Sequence, residues 1–411
     1  MRTAILAALD HGDGGILRSG MPLGGRSVLA WQGRAVRALG CERVICLIDH
    51  FGEDIIALQR AVEGDGGEFH AVRSGRQLPG LLRGEDELVV LLDGLVVDPE
   101  TLQAVTCGDG DLAKGVATLP ASHPLAKAHP DAFERIDRER AWAGVLVMRA
   151  APARQLAELP GDGAVIPLLL RLALQSGIAG RPVPPEMIGE GEWLLATSGE
   201  ALAGRERTLI DRSLAERSWT GPGLVLAQAI ARRVAPRAAA SAPRAAVGAT
   251  LALLVAGAVL AGFGFAPAGL GVAAAGALAG ALAQAAAMVA RALLGVDAPR
   301  LPGGRFTALS DTFAGGALAL AVLSSDVGTT GVAAAALGPL AVGLARLAQR
   351  GSGPPARDFW KDRPVQLAMF ALAAAFGLLA PALAVFCLAG LGQSLLQSAR
   401  DPANTGLTMS L

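Results

Sequence analysis

Ala245-Ala-Val-Gly-Ala-Thr-Leu-Ala-Leu-Leu-Val-Ala-Gly-Ala-Val-Leu-Ala-Gly-Phe-Gly-Phe265 carries no charged residue, and after Ala266 the uncharged run resumes from Pro267 to Ala290. Each stretch is near the ~20 residues an α-helix needs to cross a ~30 Å hydrocarbon core. In lipid the backbone must satisfy its own hydrogen bonds, so runs of this kind form helices. Four more apolar segments follow, at 307–323, 327–345, 364–380 and 381–399. Together they predict an all-α bundle of six transmembrane helices over residues 245–411.

The loops between the segments carry an orientation. Arg291, Arg300 and Arg305 follow the second segment; Arg346, Arg350, Arg357, Lys361 and Arg363 follow the fourth; Arg400 follows the sixth. The alternate loops, near 266, 324–330 and 381, contain no Lys or Arg. The positive-inside rule then puts both termini in the cytoplasm, in the inner (cytoplasmic) membrane. At the N-terminus, the apolar stretch Ala4 to Leu9 is shorter than the ~7–15 residues of a signal-peptide h-region, and Asp10 and Asp13 follow it. The N-terminal half is therefore expected to stay in the cytoplasm.

The rest of the chain reads differently. Of 411 residues 52% are hydrophobic, and the mean hydropathy is +0.45, yet most of the charge lies before Arg244. That asymmetry divides a water-soluble half, 1–215, from the membrane half. Residues 216–244 form a connection in which Leu224, Ala227, Ala231 and Val234 share a helical face beside Arg232 and Arg233, the pattern of an interfacial helix, with an ordinary linker helix as the alternative. The 36 basic residues balance 36 acidic ones, so no global field draws in nucleic acid. The four cysteines make no C-x-x-C pair and the five histidines no H-E-x-x-H, which predicts free thiols and no zinc site built on histidine.

In the soluble half, apolar runs at Thr3–Leu9, Arg43–Ile48, Glu68–Val72, Glu87–Leu92 and Gly144–Met148 alternate with helix-period stretches at Val28–Leu39 and Asp54–Val62. Alternation of this kind predicts a Rossmann-like α/β domain with a mostly parallel sheet. Its ligand is expected at the carboxyl ends of the strands. Two features fall there. His11-Gly-Asp-Gly-Gly15 offers the amides of Gly12, Gly14 and Gly15 to a phosphate. Asp93, followed by Gly94 and Asp98, offers a carboxylate for Mg²⁺ on a nucleotide.

Read in order, Ala4-Ile-Leu-Ala-Ala8, the glycine-rich loop, Pro22-Leu-Gly-Gly-Arg-Ser-Val-Leu29, Leu39-Gly-Cys-Glu-Arg-Val44 and Val89-Val-Leu-Leu-Asp93 resemble the sugar-nucleotide type of nucleotidyltransferase over roughly the first 110 residues. The resemblance implies a bound nucleotide. It departs where the family has a Gly-x-Gly-x-Arg loop, and where Leu23 follows Pro22 in place of lysine; Arg18 and Arg26 are the basic residues available instead. The membrane half is similar to the CDP-alcohol phosphatidyltransferases, whose motif is D-G-x-x-A-R, eight residues, then G-x-x-x-D-x-x-x-D. Here Ala286-Ala-Met-Val-Ala-Arg291 keeps the Ala-Arg ending, and Arg305-Phe-Thr-Ala-Leu-Ser-Asp-Thr-Phe-Ala-Gly315 keeps one carboxylate, Asp311.

The resemblance implies Mg²⁺ and a CDP-linked donor held near Arg291 and Asp311, Asp311 in a catalytic role, a membrane lipid as partner and a homodimer. An alternative for Asp311 is a helix N-terminal residue stabilised by the helix dipole. Asp297 and Asp358 are acidic residues that could complete the cluster. Two functions remain open: a CDP-alcohol phosphotransferase of phospholipid or polyol headgroup metabolism with a fused nucleotide-binding domain, and a catalytically inactive relative acting as a structural or regulatory membrane partner. A transporter fits less well, because ionisable residues near the span midpoints are almost absent.

Overall fold

The computed structural model describes all residues except 109, 159–163, 189–191, 215–218, 296–297, 301–302, 326–328, 352–355 and 401–411. The chain forms two compact units, Met1–Arg207 and Thr208–Leu411.

The N-terminal unit is built on a seven-stranded sheet. Its strands are β1 (Arg2–Ala8), β2 (Arg43–Ile48), β3 (Glu68–Val72), β4 (Glu87–Leu91), β5 (Gly115–Pro120), β6 (Arg140–Arg149) and β7 (Gly180–Pro182). They lie in the order β7-β5-β6-β4-β1-β2-β3, with all pairs parallel except those made by β6. Ala4 sits between Val44 of β2 and Val89 of β4. Every residue of β2, and all of β1 and β4 past the first, is buried. Strands buried along their whole length need cover on both faces, and the continuous apolar runs at Thr3, Arg43 and Glu87 are the sequence counterpart of that cover. Helices α1 (Val28–Ala38), α2 (Glu53–Gly64), α3 (Pro99–Thr106) and α4 (Val165–Gln175) pack on the sheet, and α5 (Gly199–Ser213) follows in the chain. Ser27 starts α1 by accepting a hydrogen bond from the Ala30 amide at 3.3 Å.

The α/β class and the mostly parallel sheet agree with the sequence reading. Strands β5 and β7, by contrast, have no counterpart in that reading. Strand β5 pairs with β6, and the three-residue β7 pairs in turn with β5, so both depend on partners distant in the chain that no local pattern announces. Strand β6 begins four residues ahead of the expected Gly144 and runs against its neighbours.

The C-terminal unit is helical: α6 (Pro222–Ala238), α7 (Ala242–Gly262), α8 (Ala266–Leu294), α9 (Gly303–Ser325), α10 (Leu337–Gly351), α11 (Arg363–Ala375) and α12 (Leu379–Arg400). Among the described residues five helices are long and apolar enough to cross a membrane, the organisation of a multi-pass membrane protein: Ala242–Gly262, Ala266–Leu294, Gly303–Ser325, Val332–Arg350 and Leu379–Gln397. The fourth breaks at Ala336, three residues ahead of Pro339, which has no amide hydrogen to continue the ladder. Exposed Val259, Phe263, Leu372, Phe376 and Leu388 on and beside α7, α11 and α12 give the helical unit an apolar surface suited to lipid.

The expected fifth segment, 364–380, is shorter than its apolar run. Helix α11 has 13 residues and ends at Ala375, with Phe376 as its cap and Gly377 in the left-handed region at φ 69°. At 1.5 Å per residue it is about 20 Å long, short of a full crossing. Its start is fixed by Asp362, 1% exposed, whose carboxylate accepts from the Val365 amide at 3.2 Å and from Gly223 at the head of α6 at 2.7 Å. In α6 Ala227, Gln228 and Ala231 are buried against the bundle, while Val234 and both arginines are exposed.

Candidate functional site

Strands β1 and β4 are adjacent, yet the chain leaves β1 toward β2 on one side and reaches β4 on the other. Their carboxyl ends therefore form a topological switch point, where open α/β sheets leave a crevice. A cavity of about 300 Å³ opens there. Asp93 lies at its base, Asp10, His11 and Arg18 come from the segment after β1, and Asp131, Glu134 and Trp142 flank it.

Asp93 is 3% exposed. Its Oδ2 accepts hydrogen bonds from the Leu9 and Asp10 amides at 2.6 and 2.7 Å, and its Oδ1 is buried with no partner. Burial pushes the Asp93 carboxyl up to about 7, against the pull of the Asp10 and Leu9 amides. Gln32, 1% exposed, holds the following turn by donating to the Leu92 and Leu95 carbonyls at 2.8 and 2.9 Å. The Arg18 side chain lies across Gly94, where a Cβ would come within 2.7 Å of it. Arg18 pairs with Asp10 at 3.4 Å, and its Nε is buried without a partner.

The glycine-rich loop is folded onto itself. The Gly12 amide donates to the Ile16 carbonyl at 2.8 Å, Asp13 to Thr197 at 2.8 Å and Gly15 to Gly12 at 3.2 Å. Gly14 and Gly15 take left-handed φ values in a 3-10 turn, so their glycine character serves the turn. Three loop amides are thus engaged by protein carbonyls in this conformation. Arg26 stands on the Pro22–Leu23/Arg26–Ser27 hairpin, outside the lining of the switch-point cavity. Asp98 is an ion-pair partner of Arg205.

Sequence reasoning named Asp93 and Arg18; Asp131, Glu134 and Trp142 went unseen. They lie far from Asp93 along the chain, and no spacing links them to it. The rim carries Asp10, Asp131 and Glu134 against Arg18 and His11, so a phosphate would enter most favourably with a cation. Among the described residues no group of three or more His, Cys, Asp or Glu side chains converges as a metal site. Asp93 Oδ1 is a single available oxygen, and Mg²⁺ at such a place would complete its shell with nucleotide phosphates.

In the helical unit, Asp311 lies about two turns into α9. Its carboxylate receives Nε of Arg346 from α10 and, at 3.2 Å, Nε of Arg363 from α11. Arg363 also donates to Gln366 Oε1 at 2.6 Å and to the Val342 carbonyl at 3.0 Å. One acidic residue therefore ties three helices together. A divalent cation does not fit beside two guanidinium groups that already hold both carboxylate oxygens. Arg291 is exposed in the last turn of α8. Asp358 is buried beside Gly221, and Asp297 lies outside the described residues. The sequence reading took Arg346 and Arg363 as loop charges that set orientation; their role as partners of Asp311 depends on how α9, α10 and α11 pack.

The four cysteines are free thiols. Burial raises Cys41 and Cys46 to about 12, so neither is a nucleophile. No protein-family model matches the chain, and no curated protein matches it.

Proposed function

We propose that the protein is a membrane-anchored binding protein, resembling a CDP-alcohol phosphotransferase with a fused nucleotide-binding domain, that does not carry out metal-dependent transfer. The observation that carries this reading is the pairing of Asp311 with Arg346 and Arg363. With one guanidinium on each carboxylate oxygen, Asp311 has no oxygen facing a metal or an acceptor hydroxyl. The N-terminal unit binds a nucleotide with Mg²⁺ at the β1/β4 switch point, Asp93 Oδ1 facing the cation. The cavity, its carboxylate and the acidic rim support that assignment. The helical unit acts as a structural or regulatory membrane partner, as a homodimer by resemblance to the transferases.

The charge pattern supports a cytoplasmic N-terminal unit in the inner membrane. Arg300 and Arg305 before α9, and Arg350 and Arg357 after the fourth span, belong on one side, and α11 as a short fifth pass followed by α12 as the sixth returns the chain to it.

Calorimetric titration of the full chain in detergent with CTP and CDP tests the binding. Saturable binding that requires Mg²⁺ and is weakened about tenfold or more by Asp93→Asn is expected; heats that are indifferent to both Mg²⁺ and Asp93 would sink it. The active-transferase reading is favoured by one observation, the position of Asp311 in the retained motif. It requires Mg²⁺-dependent CMP release that Asp311→Ala abolishes.

A further inference from the structure

The cluster around Asp311 does not balance. Among the described residues two arginines face one carboxylate, and Asp311 and Arg346 are the charged groups that act on Arg363. The side chains of Arg363, Asp311 and Arg346 are 15%, 18% and 35% exposed. A net positive charge is thus held in a partly desolvated place inside a bundle of membrane helices, where an uncompensated ion is costly.

What compensates it is indicated by geometry. Arg346 uses Nε on Asp311, and its Nη groups have no hydrogen-bond partner among the described residues. Arg350 is exposed one turn further along the same face of α10, near the end of the span Val332–Arg350. Two guanidinium groups at the end of a span lie at headgroup depth, and a basic pocket between membrane helices suits a lipid phosphate. The planar fork of arginine matches two oxygens of a phosphodiester at once. Asp311 then sets the position of the Arg346 fork, and Arg363 holds Asp311 from behind.

We propose that Arg346 and Arg350, backed by Asp311 and Arg363, form a phosphate site filled by the headgroup of an anionic phospholipid of the surrounding membrane. The recognised chemistry, a phosphate oxyanion, is shared with free phosphate, so the test separates the two.

The full chain is purified in detergent, stripped of lipid, and equilibrated with phosphatidylglycerol, phosphatidylcholine or inorganic phosphate. Retained lipid is read by native mass spectrometry and stabilisation by thermal shift. Wild type is expected to retain phosphatidylglycerol about tenfold better than phosphatidylcholine. Arg346→Gln should lose that preference, Arg346→Lys should keep part of it, and Arg350→Gln should reduce it with the Asp311 cluster intact. Equal retention of the two lipids by wild type overturns the proposal, as does an unchanged preference in folded Arg346→Gln. If Arg346→Gln does not fold, Arg350→Gln decides alone, and an unchanged preference there overturns it. Inorganic phosphate stabilising as well as phosphatidylglycerol would assign the arginines to a soluble anion instead.

Discussion

Asp93 sits where asparagine would meet the structural need equally well. One side-chain oxygen accepts both amides, from Leu9 and Asp10, and the other makes no bond. The fold keeps an ionisable group there at a cost. The folded carboxyl titrates at about 7 and the unfolded one near 3.8, so the native state holds the proton more tightly. Stability from this group is fully present below the unfolded value and is lost as pH rises toward 7, by about 4 kcal/mol in all. Asp93→Asn should therefore stabilise the protein increasingly between about pH 4 and 7, with a constant gain above. Thermal unfolding across that range measures it, and a gain independent of pH would contradict the assignment. At Asp311 the expectation is reversed. Asp311→Asn leaves Arg346 and Arg363 facing each other without a counter-charge and should destabilise the helical unit by about 1–3 kcal/mol, discounted because Arg346 is partly exposed. A purely catalytic Asp311 would leave the unfolding midpoint where it was.

At the scale of elements, the glycines of the spans look alike in sequence and are not alike in the bundle. A Cβ on Gly269 would come within 2.5 Å of the Ala261 amide nitrogen, and one on Gly338 within 2.8 Å of the Ala319 nitrogen. Gly271 and Gly343 have open space. Close backbone approach replaces the hydrophobic drive that helices lack in lipid. Gly269→Val should force α7 from α8 and lower the unfolding midpoint by several degrees, whereas Gly271→Ala should leave it unchanged; thermal unfolding in detergent distinguishes them. These positions mark how far sequence reaches. Element type was legible wherever a long period or a long apolar run existed, as in β1, β2, β4, α1 and α7. It failed for β5, which pairs with β6, for β7, which pairs with β5, and for the end of α11, where Gly377 stops a helix inside a run that stays apolar. Asp93 could be read at the site because it directly follows a strand. Arg346 could not be read as a partner of Asp311, because packing alone brings them together.

At the scale of the whole molecule, an α/β unit with a crevice at its switch point and a helical unit with five helices long enough to cross a membrane, among the described residues, share one chain. The engaged amides of the glycine-rich loop and the pairing of Asp311 with two arginines are the observations on which the proposal of binding without turnover rests. The most direct measurement is CMP release by the purified full chain in proteoliposomes containing CDP-diacylglycerol, with Mg²⁺ or Mn²⁺ and a mixture of small alcohol acceptors. No release above protein-free vesicles is the predicted result. Divalent-metal-dependent release that disappears in Asp311→Ala would contradict it and restore Asp311 as the catalytic carboxylate.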